Sequence, residues 1–185
     1  MICIIACGSE KVKDIERILT SFGVESAVVS MDNASTTDFQ KYVGVIISGS
    51  PILVTETGME LHLAKFQFLQ NYDKPVLGIC FGHQVLCLLY GASGIIGEEV
   101  RREELVDIIE LEGLFSSIDE QSHFAQNHYE YMTVPEDFVL LAKSDSCPNE
   151  AVRHRTKPIF GVQFHPEVSG PAGEQLIRNF VDLCE

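Results

Sequence analysis

An α/β fold is what the order of apolar runs predicts: a central, mostly parallel sheet flanked by helices, with a smaller mixed or antiparallel β extension in the C-terminal half. In the first half, short apolar runs alternate with helix-length amphipathic stretches, the pattern of β-α-β units. In the second half, short β-rich runs follow one another with only turns between them. No internal repeat, low-complexity tract or linker divides the chain, so residues 1–185 read as one domain.

Taken in order, Ile2–Ala6 is a first buried strand. Glu10–Phe22 follows as a helix, with Ser9 placed to cap its start and Gly23 just beyond its end. Val24–Ser30 is a second strand. The polar stretch Asp32–Lys41 leads into a third, Val43–Ile47, which stops at the turn Ser48-Gly49-Ser50-Pro51. A helix is expected over Met59–Asn71, then a buried strand, Val76–Ile79, and an apolar helix, Phe81–Tyr90. The β-rich runs of the second half are Ile95–Val100, Leu105–Leu111, His123–Gln126, Phe138–Ser144, Ala151–His154 and Ile159–Phe164. Leu114–Ile118 reads as a helical turn, and an amphipathic helix over Ala172–Leu183 closes the chain.

Composition narrows the chemistry. The formal net charge is −14 with only 13 Lys plus Arg, a surface that repels phosphate backbones and argues against nucleic-acid binding. No run approaches the roughly 20 apolar residues that a membrane helix requires. The first residues, Met1–Ala6, are too short and lack the basic start of a signal peptide. Cys3, Cys7, Cys80, Cys87, Cys147 and Cys184 are scattered without a CxxC pair or zinc spacing, which points to a reducing, cytoplasmic setting and to no metal.

One of these cysteines differs from the rest by its surroundings. In Gly78-Ile79-Cys80-Phe81-Gly82 it stands between a strand and a helix, flanked by glycines. This is the cysteine form of the nucleophile elbow, a strained turn that lifts the reactive group above the sheet. The helix that follows aims its amino end at the sulfur and favours the thiolate. A base is needed nearby, and Gly161-Val162-Gln163-Phe164-His165-Pro166-Glu167 offers one. A strand ends at His165, Pro166 forces a turn, and Glu167 comes back within reach of the imidazole. Cys80, His165 and Glu167 therefore form a candidate nucleophile, base and orienter. For the oxyanion, the backbone amide of Phe81 is one donor, and Gly49 and Ser50 at the neighbouring strand end are the natural source of a second. Among the other histidines, His62 and His154 read as solvated, His83 as structural and His128 as a loop residue.

The motifs Gly78-Ile79-Cys80-Phe81-Gly82-His83-Gln84 and Phe164-His165-Pro166-Glu167, with the Ser48–Pro51 turn, closely resemble those of the class I (triad) glutamine amidotransferases. The resemblance runs from the first strand to the last helix. It implies hydrolysis of L-glutamine to glutamate through a γ-glutamyl thioester, with ammonia passed to a synthetase. It also implies that Gln84 and the Asn127-His128-Tyr129 stretch help to hold the substrate. Within that family, Pro135–Ser144, Lys157–Val168 and Arg101–Glu104 look most like the glutaminase subunit of a two-subunit GMP synthetase, which makes GMP from XMP. No Gly-rich ATP pyrophosphatase loop is present, so no cofactor is expected in this chain; ATP and Mg²⁺ belong only on a separate synthetase subunit. Three departures stand out: Ser50 replaces the second glycine of the turn, Ser169-Gly170-Pro171 replaces a His-Thr, and Asn127-His128-Tyr129-Glu130 replaces a Ser-His-x-Asp segment. A glutaminase for another synthetase, a stand-alone γ-glutamyl hydrolase and a non-catalytic binding module remain alternative readings.

Overall fold

The computed structural model describes residues 1–185. Five strands form the parallel half of one sheet: β1 (Ile2–Ala6), β2 (Ser26–Ser30), β3 (Gly44–Ile47), β4 (Val76–Ile79) and β11 (Ile159–Val162). Their spatial order is β2-β1-β3-β4-β11. Beyond β11 the same sheet continues antiparallel through β10 (Ala151–His154), β9 (Phe138–Lys143), β6 (Glu103–Ile108) and β7 (Gln121–Ala125). The β extension expected in the second half is thus largely continuous with the parallel sheet. A separate two-stranded piece pairs β5 (Gly94–Val100) with β8 (His128–Met132).

Both faces of β1, β3, β4 and β11 are covered, which is why these strands carry unbroken apolar runs rather than alternation, while β2 at the edge stays partly exposed. In β1, Ile2 and Ile4 join a core shared with helices α1 (Val12–Ser21) and α4 (Gly170–Leu183). Cys3 and Ile5, pointing the other way, join a core under α2 (Met59–Ala64) and α3 (Phe81–Leu89).

The structure revises several elements. Ser9 does accept the Lys11 amide through its hydroxyl at 3.1 Å, but Glu10 and Lys11 form a turn, and regular helix begins at Val12. The helix expected over Met59–Asn71 is broken: α2 ends at Ala64 and a 3₁₀ segment runs over Gln67–Asn71. Its buried residues explain the change. Phe66, Leu69 and Tyr72 recur every third position, which puts one side of a three-residue-per-turn helix against the core. Strand β8 escaped sequence reading because its buried positions are His128, Glu130 and Met132, so a two-residue alternation is present without an apolar signature.

Candidate active site

Three neighbouring parallel strands, β3, β4 and β11, bring the site together. Each ends at the same edge of the sheet, where α/β folds build their sites. Gly49 and Ser50 follow β3, Cys80 follows β4, and His165 follows β11.

Cys80 occupies the bend between β4 and α3 with φ 52° and ψ −104°, a region that costs a non-glycine residue roughly 1–3 kcal/mol. The bend is tight enough to demand both flanking glycines. A Cβ on Gly78 would lie 2.5 Å from the Gly82 backbone, and one on Gly82 would lie 2.4 Å from the Ile47 carbonyl oxygen. Gly49 is packed less tightly: a Cβ there would stand 3.1 Å from the His165 ring, crowding the imidazole, and 3.7 Å from Cys80 Cβ, an ordinary contact.

His165 and Glu167 are nearly fully buried, with the imidazole Nδ1 2.7 Å from the Glu167 carboxylate. Glu167 sits in a 3₁₀ turn, Pro166–Val168, that the proline opens. Burial by itself pushes the imidazole down. Interaction with Cys80 and with the Glu167 carboxylate bonded to the ring outweighs burial and holds His165 up at about 10. Because Glu167 occupies Nδ1, Nε2 is left for the sulfur. The thiol Sγ also has the Asn127 carbonyl oxygen at 3.8 Å.

Two openings lead to the sulfur. A cavity of about 220 Å³ is lined by Ser50, Gln84, Arg101, Asn127, His128, Tyr129 and Glu130 among others. Another, of about 290 Å³, is bounded by Gly8–Lys11, Ser50, Asn127 and His165. The expected triad, turn and substrate residues therefore converge, but the substrate residues present different groups. Asn127 faces the sulfur with its backbone carbonyl and Tyr129 stands on the exposed rim. The Gln84 amide is engaged by the Glu130 carbonyl oxygen and by Gln163, each at 3.2 Å. His128 is buried in β8 rather than held in a loop, and burial, with His165 nearby, pushes it down to about 4.

Each departure from the family motifs has a visible role. Ser50 sits at negative φ, so glycine is not required, and its hydroxyl accepts the Ile52 amide at 3.2 Å. Ser169 donates its hydroxyl to the His165 carbonyl at 2.6 Å and accepts the Ala125 amide at 2.9 Å, tying the His165 segment to β7. Glu130 is buried and its carboxylate accepts the amides of Val54 at 2.6 Å and Thr55 at 3.0 Å, with a further bond from the Thr55 hydroxyl. That ties the Val54–Thr55 turn to β8 beside the cavity.

The remaining histidines divide by environment. His83 is wholly buried against β11 and pushed down to about 3, chiefly by that burial, as a structural residue should be. His154, expected on the surface, is instead buried between Tyr90 and Phe138, where its Nδ1 accepts the Thr156 and Lys157 amides. Its neighbour Arg155 made the segment look like a solvated basic run, while the aromatic ring pair that encloses the imidazole comes from distant parts of the chain.

Comparison with known proteins agrees with the geometry. The glutamine amidotransferase class-I family profile matches residues 3–184, and the chain belongs to that family of enzymes. It is similar to the glutamine-hydrolysing GMP synthase subunit of Pyrococcus abyssi, 35% identical with 100% of this chain and 98% of the relative covered. The subunit of the same name from Archaeoglobus fulgidus is 37% identical over 92% of this chain and 91% of its own length. Among solved structures, a Thermoplasma acidophilum protein provisionally assigned as the corresponding GMP synthase subunit superposes with a TM-score of 0.91 at 28% identity, covering 99% of this chain and 92% of that one. A Thermotoga maritima glutamine amidotransferase shares the fold, with a TM-score of 0.76 at 19% identity, covering 98% of this chain and 82% of that one.

Proposed function

We propose that this chain is the glutaminase subunit of a two-subunit GMP synthase. It hydrolyses L-glutamine to glutamate and gives the ammonia to a separate, ATP-using synthetase subunit that converts XMP to GMP. The observation that carries the reading is Cys80 at the apex of a strained bend, with the His165–Glu167 pair behind it. Full-length similarity to subunits of that name supports the choice of synthetase.

In this mechanism Glu167 fixes the His165 tautomer and His165 holds the proton drawn from Cys80. Its raised affinity for protons keeps the imidazole charged at neutral pH beside the thiolate. Sγ attacks the γ-carboxamide carbon of glutamine, and the C–O π electrons move onto oxygen. The amides of Phe81 and of the Gly49–Ser50 turn receive that oxyanion. Phe81 opens α3, so its N–H has no partner within the helix. His165 then gives its proton to the departing nitrogen, the C–N bond breaks, and ammonia leaves a γ-glutamyl thioester on Cys80. Water, deprotonated by His165, attacks the thioester, and glutamate is released as the thiol is restored.

In this reading the substrate sits in the cavity walled by Gln84, Asn127, His128 and Tyr129. No cofactor is required in this chain; ATP and Mg²⁺ act on the partner, an ATP pyrophosphatase. Free cysteines throughout suit a reducing, cytoplasmic setting, and no helix is long and apolar enough to cross a membrane.

The test is ammonia release from glutamine by the wild-type and Cys80→Ala proteins, with and without XMP and an ATP pyrophosphatase partner. Loss of release in Cys80→Ala, and stimulation of the wild type by the partner, is the expected result. Undiminished release by Cys80→Ala would overturn the mechanism. A full rate without any partner would point instead to a stand-alone γ-glutamyl hydrolase.

A further inference from the structure

The sulfur of Cys80 has one more neighbour, which neither the triad nor the oxyanion site accounts for. Gln163 follows directly on β11, in the bend that leads from the strand end to His165. It is fully buried, and its Nε2 lies 3.7 Å from Cys80 Sγ. Its other amide atom, Oε1, accepts from Gln84 Nε2 at 3.2 Å, and that same Gln84 nitrogen donates to the Glu130 carbonyl oxygen at 3.2 Å.

This chain of contacts has only one consistent polarity. A backbone carbonyl oxygen accepts and never donates, so Glu130 must face the NH₂ end of Gln84. The second hydrogen of that NH₂ then requires the oxygen end of Gln163. What remains to face the sulfur is the Gln163 NH₂. Two amides whose ends could otherwise be exchanged are thereby fixed by a single main-chain oxygen. The anchors are themselves held: the Gln163 N–H donates to the Glu150 carbonyl at 2.8 Å, and the Glu130 side chain is tied to Val54 and Thr55.

A fixed N–H donor favours the charged form of the group that accepts it, and more so where water is excluded. We propose that Gln163 is a catalytic residue that stabilises the Cys80 thiolate by donating its amide N–H to the sulfur, and that Gln84 is a positioning residue acting through Gln163. This rests on Cys80 being the attacking group. The donor is given up as Sγ bonds to the substrate carbon, so it raises the amount of thiolate while tempering its nucleophilicity.

The experiment is the pH dependence of Cys80 alkylation by iodoacetamide, with glutamine kinetics alongside, for wild type, Gln163→Met, Gln84→Met and the double variant. In Gln163→Met the half-maximal point of the alkylation profile should rise by about 0.5–1 pH unit, with the alkaline plateau undiminished. Gln84→Met should move it the same way, and the double variant no further than Gln163→Met, because the two act in series. A Gln163→Met profile that superimposes on wild type, in protein with the native circular dichroism, would overturn the proposal. A raised KM in Gln84→Met with an unmoved profile would also overturn it, making Gln84 a substrate ligand. Should Gln163→Met fail to fold, Gln84→Met decides the question on the same two readouts. Alkylation needs no turnover, so these outcomes are separable from the nucleophile assignment itself. That assignment fails only if wild-type activity survives modification of Cys80.

Discussion

Glu167 grips Nδ1 of His165 at 2.7 Å while both side chains are shut away from water. The carboxylate therefore decides which imidazole nitrogen is left for Cys80, and it supplies part of the negative charge that keeps His165 protonated well above neutral pH. Glu167→Gln keeps an acceptor for Nδ1–H but removes the charge. Its kcat for glutamine hydrolysis should fall roughly 10²-fold or more with KM little changed, because without that charge fewer molecules hold the imidazolium beside the Cys80 thiolate from which attack starts. Steady-state ammonia release measures both constants.

The elbow should tolerate no side chain at Gly82. An added methyl would sit 2.4 Å from the Ile47 carbonyl oxygen, which is part of β3 and cannot swing aside. Gly82→Ala should lower stability by about 2–3 kcal/mol or more, or roughly 5–10 °C in melting temperature. Activity should fall with it, since β3 also carries the Gly49–Ser50 turn. Differential scanning calorimetry checks the first effect.

Glu150 makes the chain lose stability as pH rises from about 4.5 to about 8. Its carboxyl is buried, accepts from Ser144 and Gln126 at 2.7 Å each, and is pushed up to about 8, first by burial and further by Glu104. Below about 4.5 the group is protonated in both folded and unfolded chains and makes no difference. As pH rises toward 8 the unfolded chain ionises while the folded one resists, so stability is progressively lost across that window. Glu150→Gln keeps the acceptor oxygen and carries no charge. Its melting temperature should gain on wild type as pH is raised from 5 to 8, by several degrees; parallel melting curves across that range would sink the idea.

Glu130→Ala should act mainly on substrate affinity. The carboxylate holds the Val54 and Thr55 amides, next along the chain from Ile52 and Leu53 that line the cavity, and truncation leaves those donors without their acceptor. KM for glutamine should rise about 10-fold while kcat changes less, with a stability cost of roughly 1–3 kcal/mol. Initial-rate kinetics and thermal melts separate the two.

The order of strands and helices in the parallel half was legible because burial on both faces writes itself as continuous apolar runs. The candidate triad, Cys80, His165 and Glu167, was legible for a related reason: a cysteine between glycines at a strand's end, and a His-Pro-Glu at another, are local patterns. Gln163 carried a faint signal, its two-residue spacing from His165, but the partner that gives it meaning is 83 residues away. Glu130 and β8 were hidden because the strand buries polar groups whose acceptors and donors lie on other elements. The break in the Met59–Asn71 helix could have been suspected from the three-residue spacing of Phe66, Leu69 and Tyr72, which a four-residue expectation overlooks.

All six cysteines are free, and their surroundings sort them sharply. Burial holds Cys3 up at about 11, lifts Cys7, Cys87 and Cys184 to about 12, and raises Cys147 as well. Those five stay protonated at physiological pH and are poor targets for electrophiles. A maleimide dye offered briefly to the unaltered polypeptide should therefore attach once, at Cys80, giving a one-adduct mass and a spectroscopic reporter with no engineering of the other thiols.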